Sequence, residues 1–340
     1  GDAFGLRPSM ENWASLKTKN SITPVMQSGF VKKILLLTED HFKNTFYLEN
    51  VHSIKELINE AGYEVRIGMP GLQDQNSVEL ESYLGNKVLV EKVINDSGSL
   101  RLQDYQPDIV VSNNDFSKLY DWGNILETKM TPVMELGWYQ RRKSTYFESY
   151  NETATEFANI LEVDPWLFTV NTQSFNHFDM AKEESQAELA EVVDKVIDDT
   201  AKKYKEHSIN ENPFAFIKND SGTYGLGVTR VTQGKDVMEW TYKARKKMKA
   251  QKGGGRFDEV IVQEGIPTSL KTEGWTAEPT IYMLGENLAG GFLRAHKDKG
   301  DSESLNSPGA VYKKLCLSDL KIKTVGCPLE NVYGWIAKIG

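Results

Sequence analysis

Residues 33–38 (KILLLT) form a short, almost unbroken apolar run, the pattern of a strand covered on both faces. From 50 to 61 the apolar positions Val51, Ile54, Leu57 and Ile58 recur at helical spacing, and Gly62 acts as a stop signal. Residues 64–68 (EVRIG), 87–94 and 108–112 (DIVVS) read as three further strands. Strands alternating with helices predict a parallel α/β sheet over roughly residues 30–135, whose binding crevice lies in the loops after the strand ends. Asn113, Asn114 and Asp115 occupy one such end, and residues 131–138 (TPVMELGW) are expected to close the domain.

Two helices are expected next. The second, over 179–206, places Leu189, Val193, Val196 or Ile197, and Tyr204 on one face with acids opposite. After Pro213 the pattern changes. Residues 214–220 (FAFIKND) and 228–231 (VTRV) read as strands joined by the glycine-rich stretch 221–227 (SGTYGLG). Joining two strands separates this stretch from phosphate loops whose glycines lead into a helix. A basic helix over 235–250 runs into Gly253, Gly254 and Gly255. Residues 259–263 (EVIVQ), 280–284 (TIYML) and 288–294 (LAGGFLR) read as strands, with a tight turn at 285–287. A polar loop, 297–309, carries a single large apolar residue, Leu305.

Composition narrows the class. The chain has 340 residues, 39% apolar and 10% aromatic, which is enough for a sizeable core and unlike a disordered chain. A net charge of −8 argues against a general nucleic-acid or anionic-membrane binder. Much of that charge is local: residues 179–199 hold eight acids against two lysines, which reads as a solvated helix face. The seven cations of residues 243–256 lack the interleaved aromatics of a stacking platform. No apolar run approaches the roughly 20 residues of a membrane span. Cys316 and Cys327 form no CxxC pair, and His41, His52, His177, His207 and His296 are scattered, so neither a disulfide framework nor a histidine-bound metal is indicated. A reducing cytoplasm fits. Gly1 opens the chain without an initiator Met or a leader pattern, and 335–340 reads as mid-helix, so both ends are read as cut.

Lys218 sits four residues before Gly222, on the strand entering the glycine-rich turn. Backbone N–H groups in such a turn approach phosphate oxygens closely, and a lysine adds a point charge, a combination that suits a nucleoside triphosphate. Gln263, Glu264, Gly265 and Ile266 end a strand as a candidate adenine-facing hinge. Glu278 and Asn306 supply a carboxylate and an amide for a cation, and Arg294 a charge for a moving phosphoryl group. Arg141, Arg142 and Lys143, directly after a buried strand, suit the acid groups of a small substrate. Each of these, taken singly, also reads as an ordinary turn, cap or surface residue; the order of the set is the informative feature.

That order is the basis of a resemblance. Residues 218–231 (KNDSGTYGLGVTRV), 262–266 (VQEGI), 277–283 (AEPTIYM), 290–296 (GGFLRAH) and 305–309 (LNSPG) resemble the ATP-grasp-type glutamate–cysteine ligases of proteobacteria. Upstream, 44–51 (NTFYLENV), 113–117 (NNDFS), 137–144 (GWYQRRKS) and 164–167 (DPWL) are similar to further motifs of that family. The resemblance implies α/β and α+β architecture: an ATP-grasp fold preceded by a pre-ATP-grasp parallel-sheet domain. Residues 1–30 would be an N-terminal extension, 31–140 the pre-ATP-grasp domain, 141–212 a helical lid region and 213–340 the nucleotide-binding lobe. It implies joining the γ-carboxylate of glutamate to the amine of cysteine through an acyl phosphate, the first step of glutathione biosynthesis, with ATP and Mg²⁺ as cofactors. Partners would be these small molecules, with no nucleic acid or membrane and with a homo-oligomer left open. Residue by residue, Lys218 would contact nucleotide phosphates, with Gly222, Thr223, Gly225 and Gly227 over them. Gln263, Glu264 and Ile266 would line the adenine and ribose site, and Glu278 and Asn306 would ligate the metal. Arg294 would stabilise the transferring phosphoryl group, and Arg141, Arg142, Asn113 and Asp115 would hold the amino acids. The competing readings are a ligase for a different amino acid or peptide acceptor, and a catalytically silent nucleotide-binding module.

Overall fold

The computed structural model describes residues 31–41, 43–72, 74–117, 119–122, 127–221, 227–240, 258–284, 287–315, 321–322 and 329–330. Its described residues divide into two units, one running to Gln140 and one beginning at Arg141.

The first unit is built on a six-stranded sheet. Its elements are β1 (Lys33–Thr38), α1 (Thr45–Glu60), β2 (Glu64–Met69), β3 (Ser77–Glu81), β4 (Lys87–Lys92), the hairpin β5 (Ile94–Asp96) and β6 (Ser99–Arg101), β7 (Ile109–Asn113) and β8 (Met130–Thr131). The sheet order is β3-β4-β2-β1-β7-β8, parallel throughout except for the antiparallel edge pair β3 and β4. The unbroken apolar run of β1 has a direct cause: Ile34 and Leu36 pack in one core with Leu48, Val51 and Ile58, while Leu35 and Leu37 pack in a second with Leu100, Leu102 and Val110. Successive side chains point to opposite faces, so a strand buried on both must be apolar at every position.

The strict alternation of strand and helix does not hold among the described residues. The connection from β4 to β7 uses the β5–β6 hairpin and a loop pinned by the buried Tyr105, whose hydroxyl lies 3.1 Å from Ile34 O and 3.0 Å from Glu64 O. Strand β3 escaped the hydrophobic pattern because its sequence, SVELE, buries no residue fully. Helix α1 begins at Thr45 rather than Asn50, since the Asn44 side chain accepts from Tyr47 N at 3.1 Å and starts the helix there.

The second unit begins with α2 (Lys143–Ile160), a short turn Pro165–Leu167 capped by Asp164, β9 (Thr172–Asn176) and α3 (Glu183–Glu206). Then come β10 (Ala215–Asn219), β11 (Val228–Val231), the single-turn α4 (Lys235–Met238) and β12 (Glu259–Glu264). These strands form an antiparallel sheet in the order β11-β10-β12-β9. Leu189, Val193 and Val196 of α3 pack on Ala215, Ile217, Val260 and Val262, so α3 covers one face of the sheet, and Phe216, Lys218, Ile261 and Gln263 lie on the opposite face. Helix α3 starts at Glu183, not 179: Asp179 Oδ1 accepts from Ala181 N at 3.0 Å and holds a turn first. The polar edge strand β9 gave no hydrophobic signal; its partner β12 makes it a strand. Of the expected basic helix only α4 is described, and residues 241–257 lie outside the described residues, as do Gly285 and Glu286.

A second antiparallel sheet holds β13 (Lys271–Thr272), β14 (Trp275–Leu284), β15 (Asn287–His296) and β16 (Val311–Leu315) in that order. Strands β14 and β15 extend well beyond the apolar runs because ladder pairing continues through their polar ends, from Leu284 with Asn287 to Thr276 with His296. Leu305, alone among polar neighbours in its loop, is buried. A short pair, β17 (Lys321–Ile322) and β18 (Leu329–Glu330), completes the described chain.

Candidate active site

On β10 the buried positions Ala215 and Ile217 serve the core under α3, so the half-buried Phe216 and Lys218 project from the opposite face. The ladder sets Phe216 opposite Gln263 and Gln263 opposite Thr172 on the same face. Lys218 Nζ donates to Gln263 Oε1, and Gln263 Nε2 donates to Thr172 Oγ1 at 2.9 Å. The ammonium also lies 5.6 Å from the Phe216 ring centroid. Its hydrogen-bond partner is thus an amide, not a carboxylate, and burial lowers its pKa to about 8.

A second lysine stands beside it. Lys143, the first residue of α2, donates from Nζ to Asn219 O at 2.8 Å and Asp220 O at 3.2 Å. Burial lowers its pKa to about 8, Asp220 opposes that shift, and the charges of Lys218 and Arg142 add to it. The sequence placed Lys143 in a cationic run, but it could not tell which of the three cations turns toward Lys218. Arg142 turns elsewhere: Nε donates to Glu259 Oε2 at 2.8 Å and Nη1 to Arg141 O at 3.1 Å, while Arg141 is exposed.

Lysines held below their ordinary 10.5 tie stability to pH. Between about pH 8 and 10.5 the unfolded chain binds more protons than the folded one, so the contribution of Lys218 and Lys143 to stability rises across that window. Lys218→Met is therefore expected to be more stable than wild type at neutral pH, with the gap closing as pH rises; urea titrations at several pH values measure it, and a pH-independent gap would contradict it.

Glu264 faces the other way from Gln263. Its carboxylate, 5% exposed, accepts from Asn171 N at 2.7 Å, Trp166 Nε1 at 3.2 Å and Thr200 Oγ1 at 3.4 Å, and so braces the strand end. Ile266 follows, 62% exposed. On the second sheet Glu278 and Arg294 are direct cross-strand partners, with Arg294 Nε donating to Glu278 Oε1 at 2.7 Å. Asn306 is exposed in the 297–309 loop, which the buried His296 ties down: Nε2 lies 3.0 Å from Pro308 O, and Nδ1 accepts from Asp298 N at 3.1 Å. Gly227 has φ 65°, a left-handed conformation that suits glycine, and Gly222, Thr223 and Gly225 lie outside the described residues.

Asn113 and Asp115 belong to the first unit, at the carboxyl end of β7. There the chain order of the sheet reverses between β1 and β7, a topological switch point where α/β sheets open a crevice. Tyr47 spans it: its hydroxyl donates to Asn113 O at 2.7 Å and accepts from Glu39 N at 2.8 Å. The Asn113 side chain donates to Asn50 Oδ1 at 3.2 Å, and Asp115 Oδ1 accepts from Ser117 N at 2.9 Å and Ser117 Oγ at 2.6 Å. Tyr47 carries no sequence signal of its own, since a helical tyrosine reads as packing.

Among the described residues no group of three or more His, Cys, Asp or Glu side chains could hold a metal ion, and no helix is long and apolar enough to cross a membrane.

A parallel sheet with a topological switch point, and an antiparallel sheet on which a half-buried lysine donates to an amide, make a mixed α/β protein suited to small anionic ligands. Comparison narrows the class to one family. The glutamate–cysteine ligase family model (GshA) matches residues 5–340, and the chain belongs to that family. The crystal structure of a provisionally named gamma-glutamylcysteine synthetase from Methylobacillus flagellatus KT is 31% identical, covers 98% of this chain and 81% of its own, and superposes with a TM-score of 0.83. D-alanyl-alanine synthetase A from Vibrio cholerae O1 biovar eltor str. N16961 is 14% identical over 83% of this chain and 74% of its own, at TM-score 0.40, too remote a likeness to bear on function. Among curated proteins none matches. The activity is that of a glutamate–cysteine ligase, an ATP-using enzyme of glutathione synthesis with small-molecule substrates.

Proposed function

We propose that the face of the β10–β12 sheet opposite α3 is where ATP drives this ligation, with Lys218 on its phosphates. The observation that carries the reading is the Lys218 ammonium, drawn out of water and given an amide partner in place of a counter-ion. A cation left without a carboxylate in a partly dry site has its charge available for an anionic ligand. Lys143 brings a second cation to the same place.

The chemistry then has a simple outline. The γ-carboxylate of glutamate attacks the γ-phosphorus of ATP, the bond to the β-phosphate oxygen breaks, and ADP leaves an acyl phosphate. The cysteine amine adds to the activated carbonyl, and phosphate departs from the tetrahedral species. The lysines would neutralise charge on the nucleotide, and Arg294 would do so on the moving phosphoryl group. Gly222, Thr223, Gly225 and Gly227 keep their proposed place over the phosphates, and Gln263 and Ile266 theirs beside the base. The Glu264 carboxylate, spent on three donors, would serve by holding that strand end in place. Arg141, Arg142, Asn113 and Asp115 remain the proposed amino-acid contacts, the arginines for carboxylates and Asp115 for an ammonium.

Mg²⁺ fits this donor set in one manner. It is commonly held by one or two carboxylates plus substrate phosphates rather than by a protein cage. Glu278, whose Oε1 is taken by Arg294, has Oε2 to offer, and Asn306 an amide oxygen. Bound there, the ion would screen the phosphates against the incoming carboxylate. The same reading makes residues 31–140 a pre-ATP-grasp domain, 141–212 a helical lid region and 213–340 the lobe of an ATP-grasp enzyme working in the cytoplasm.

Phosphate release from ATP, measured with glutamate and a panel of amines, tests the proposal. Release that needs both glutamate and Mg²⁺, and is fastest with cysteine, is expected. Release indifferent to glutamate, or nucleotide binding without turnover for every amino-acid pair, would overturn it.

A further inference from the structure

Asp220 is a carboxylate 4% exposed, two residues beyond Lys218, with no place in the chemistry above. Its two oxygens are both used by one residue: Oδ1 accepts from Ser144 N at 2.8 Å and Oδ2 from Ser144 Oγ at 2.7 Å. The backbone adds to this, with Lys143 N donating to Asp220 O at 3.1 Å and Asp220 N to Glu259 O at 3.0 Å.

The start of α2 explains why a charge is buried here. Its N-cap residue, Arg142, makes no side-chain capping bond, and the first turn of the helix contains no acid of its own. The first N–H groups of a helix need acceptors and favour a negative charge. Asp220 supplies both from the turn that follows β10, so the cap of α2 comes from another element. Because Lys143 lies between the N-cap and Ser144, the same contact dictates where its side chain begins. Nζ then reaches the Asn219 and Asp220 carbonyls, at the end of the strand that carries Lys218.

We propose that Ser144 and Asp220 are positioning residues of the ligase, a cross-element cap that sets the Lys143 ammonium beside Lys218. The inference rests on the reading that these lysines face the nucleotide phosphates. The charged groups that bear on Lys143 include Asp220, the residue after β10, Lys218 of β10, Arg142 from its own segment, and Glu259 of β12 through its ion pair with Arg142. Asp220 opposes the discharge of Lys143 that burial and the neighbouring cations favour. A lone scaffolding role would not make ATP affinity depend on that charge; a positioning role does.

The test uses the full chain with ATP, glutamate and cysteine, and variants Ser144→Ala, Ser144→Thr and Asp220→Asn. Loss of the hydroxyl bond in Ser144→Ala is expected to raise the KM for ATP about tenfold, as for one hydrogen bond to a charged group, while the KM values for glutamate and cysteine stay within about twofold. Ser144→Thr, which keeps the hydroxyl, restores the ATP value. Asp220→Asn keeps the shape and removes the charge, so the alkaline limb of kcat/KM for ATP is expected to move down by about one pH unit. Unchanged KM for ATP in Ser144→Ala together with a wild-type pH profile in Asp220→Asn would overturn the proposal. So would an equal rise in all three KM values, the mark of general loosening. Should Asp220→Asn fail to fold, the Ala and Thr pair at 144 decides alone. Binding of ATP by Lys218→Ala separates the two levels. If that variant binds as wild type, the nucleotide reading itself fails; if it loses binding while Ser144→Ala does not weaken it, only the positioning role fails.

Discussion

Lys218→Ala is expected to lower glutamate- and cysteine-dependent turnover of ATP by about 100- to 1,000-fold, the usual cost of removing one preorganised charge from the group it stabilises. The size follows from the environment. In water a lysine contributes little to phosphate binding, because the ammonium and the anion are both well solvated. Lys218 has already lost much of its solvation, with its pKa held near 8 by burial, and it donates to Gln263 rather than to a carboxylate. Charge development on phosphate therefore meets a cation with little reorganisation left to make. The same facts predict the opposite sign for stability. A partly desolvated lysine costs folding free energy at neutral pH, so the variant should unfold at a urea concentration equal to or above that of wild type. Loss of turnover with stability retained would mark a residue kept for function. Turnover near that of wild type, or a loss that merely tracks unfolding, would refute the assignment. Initial-rate measurements and urea titrations on the same preparations distinguish these outcomes.

Gly265→Ala should destabilise the protein by about 3 kcal/mol, at the upper end for overpacking a core. A Cβ at 265 would collide with Phe214 Cε2 and Cδ2, well inside any tolerable contact. The ring has little freedom to yield. Phe214 is 2% exposed, Arg230 lies 4.8 Å above it, and Phe216 packs edge-on at 5.6 Å between centroids. The backbone is equally committed, since Gly265 N donates to Phe214 O at 2.7 Å. Strand β12 would have to leave β10 for the methyl group to fit, and it carries Gln263 with it. Denaturant midpoints measure the loss, and a double-mutant cycle identifies its cause. Phe214→Ala removes the obstruction, so Gly265→Ala should cost much less in that background than alone. Additive losses would show that the ring is not what excludes the side chain.

The parts of the fold that were legible share one property: their side chains report their own surroundings. KILLLT is apolar at every position because both faces of β1 are buried. Leu189, Val193 and Val196 repeat at helical spacing because α3 covers one face of a sheet. Strands β3 and β9 were not legible for the same reason turned around. SVELE and TQSFN lie at sheet edges, and only a neighbour's ladder makes them strands. The site divides in the same manner. Lys218 stood out through the glycines after it and the order of motifs behind it. Lys143 could not be ranked above Arg141 and Arg142, because all three are cations in a row and only the hydrogen bonds from Lys143 to the Asn219 and Asp220 carbonyls single one of them out. Glu264, adjacent to Gln263 in sequence, lies on the opposite face of a strand. Nor does the sequence pair Glu278 with Arg294, sixteen positions apart and opposite one another only in the β14–β15 ladder.

What the sequence determined by itself, then, was the kind of molecule: mixed α/β and α+β architecture, an acidic total with local cations, and membership of a ligase family through motifs in a fixed order. Those properties reside in residue type and spacing, which the chain carries before it folds. Tertiary structure alone decided which cations lose water, which carboxylates become braces and which serine completes a helix. Desolvation and hydrogen bonding depend on groups brought together from distant parts of the chain: Ser144 meets Asp220 across 76 positions, and Lys218 meets Gln263 across 45.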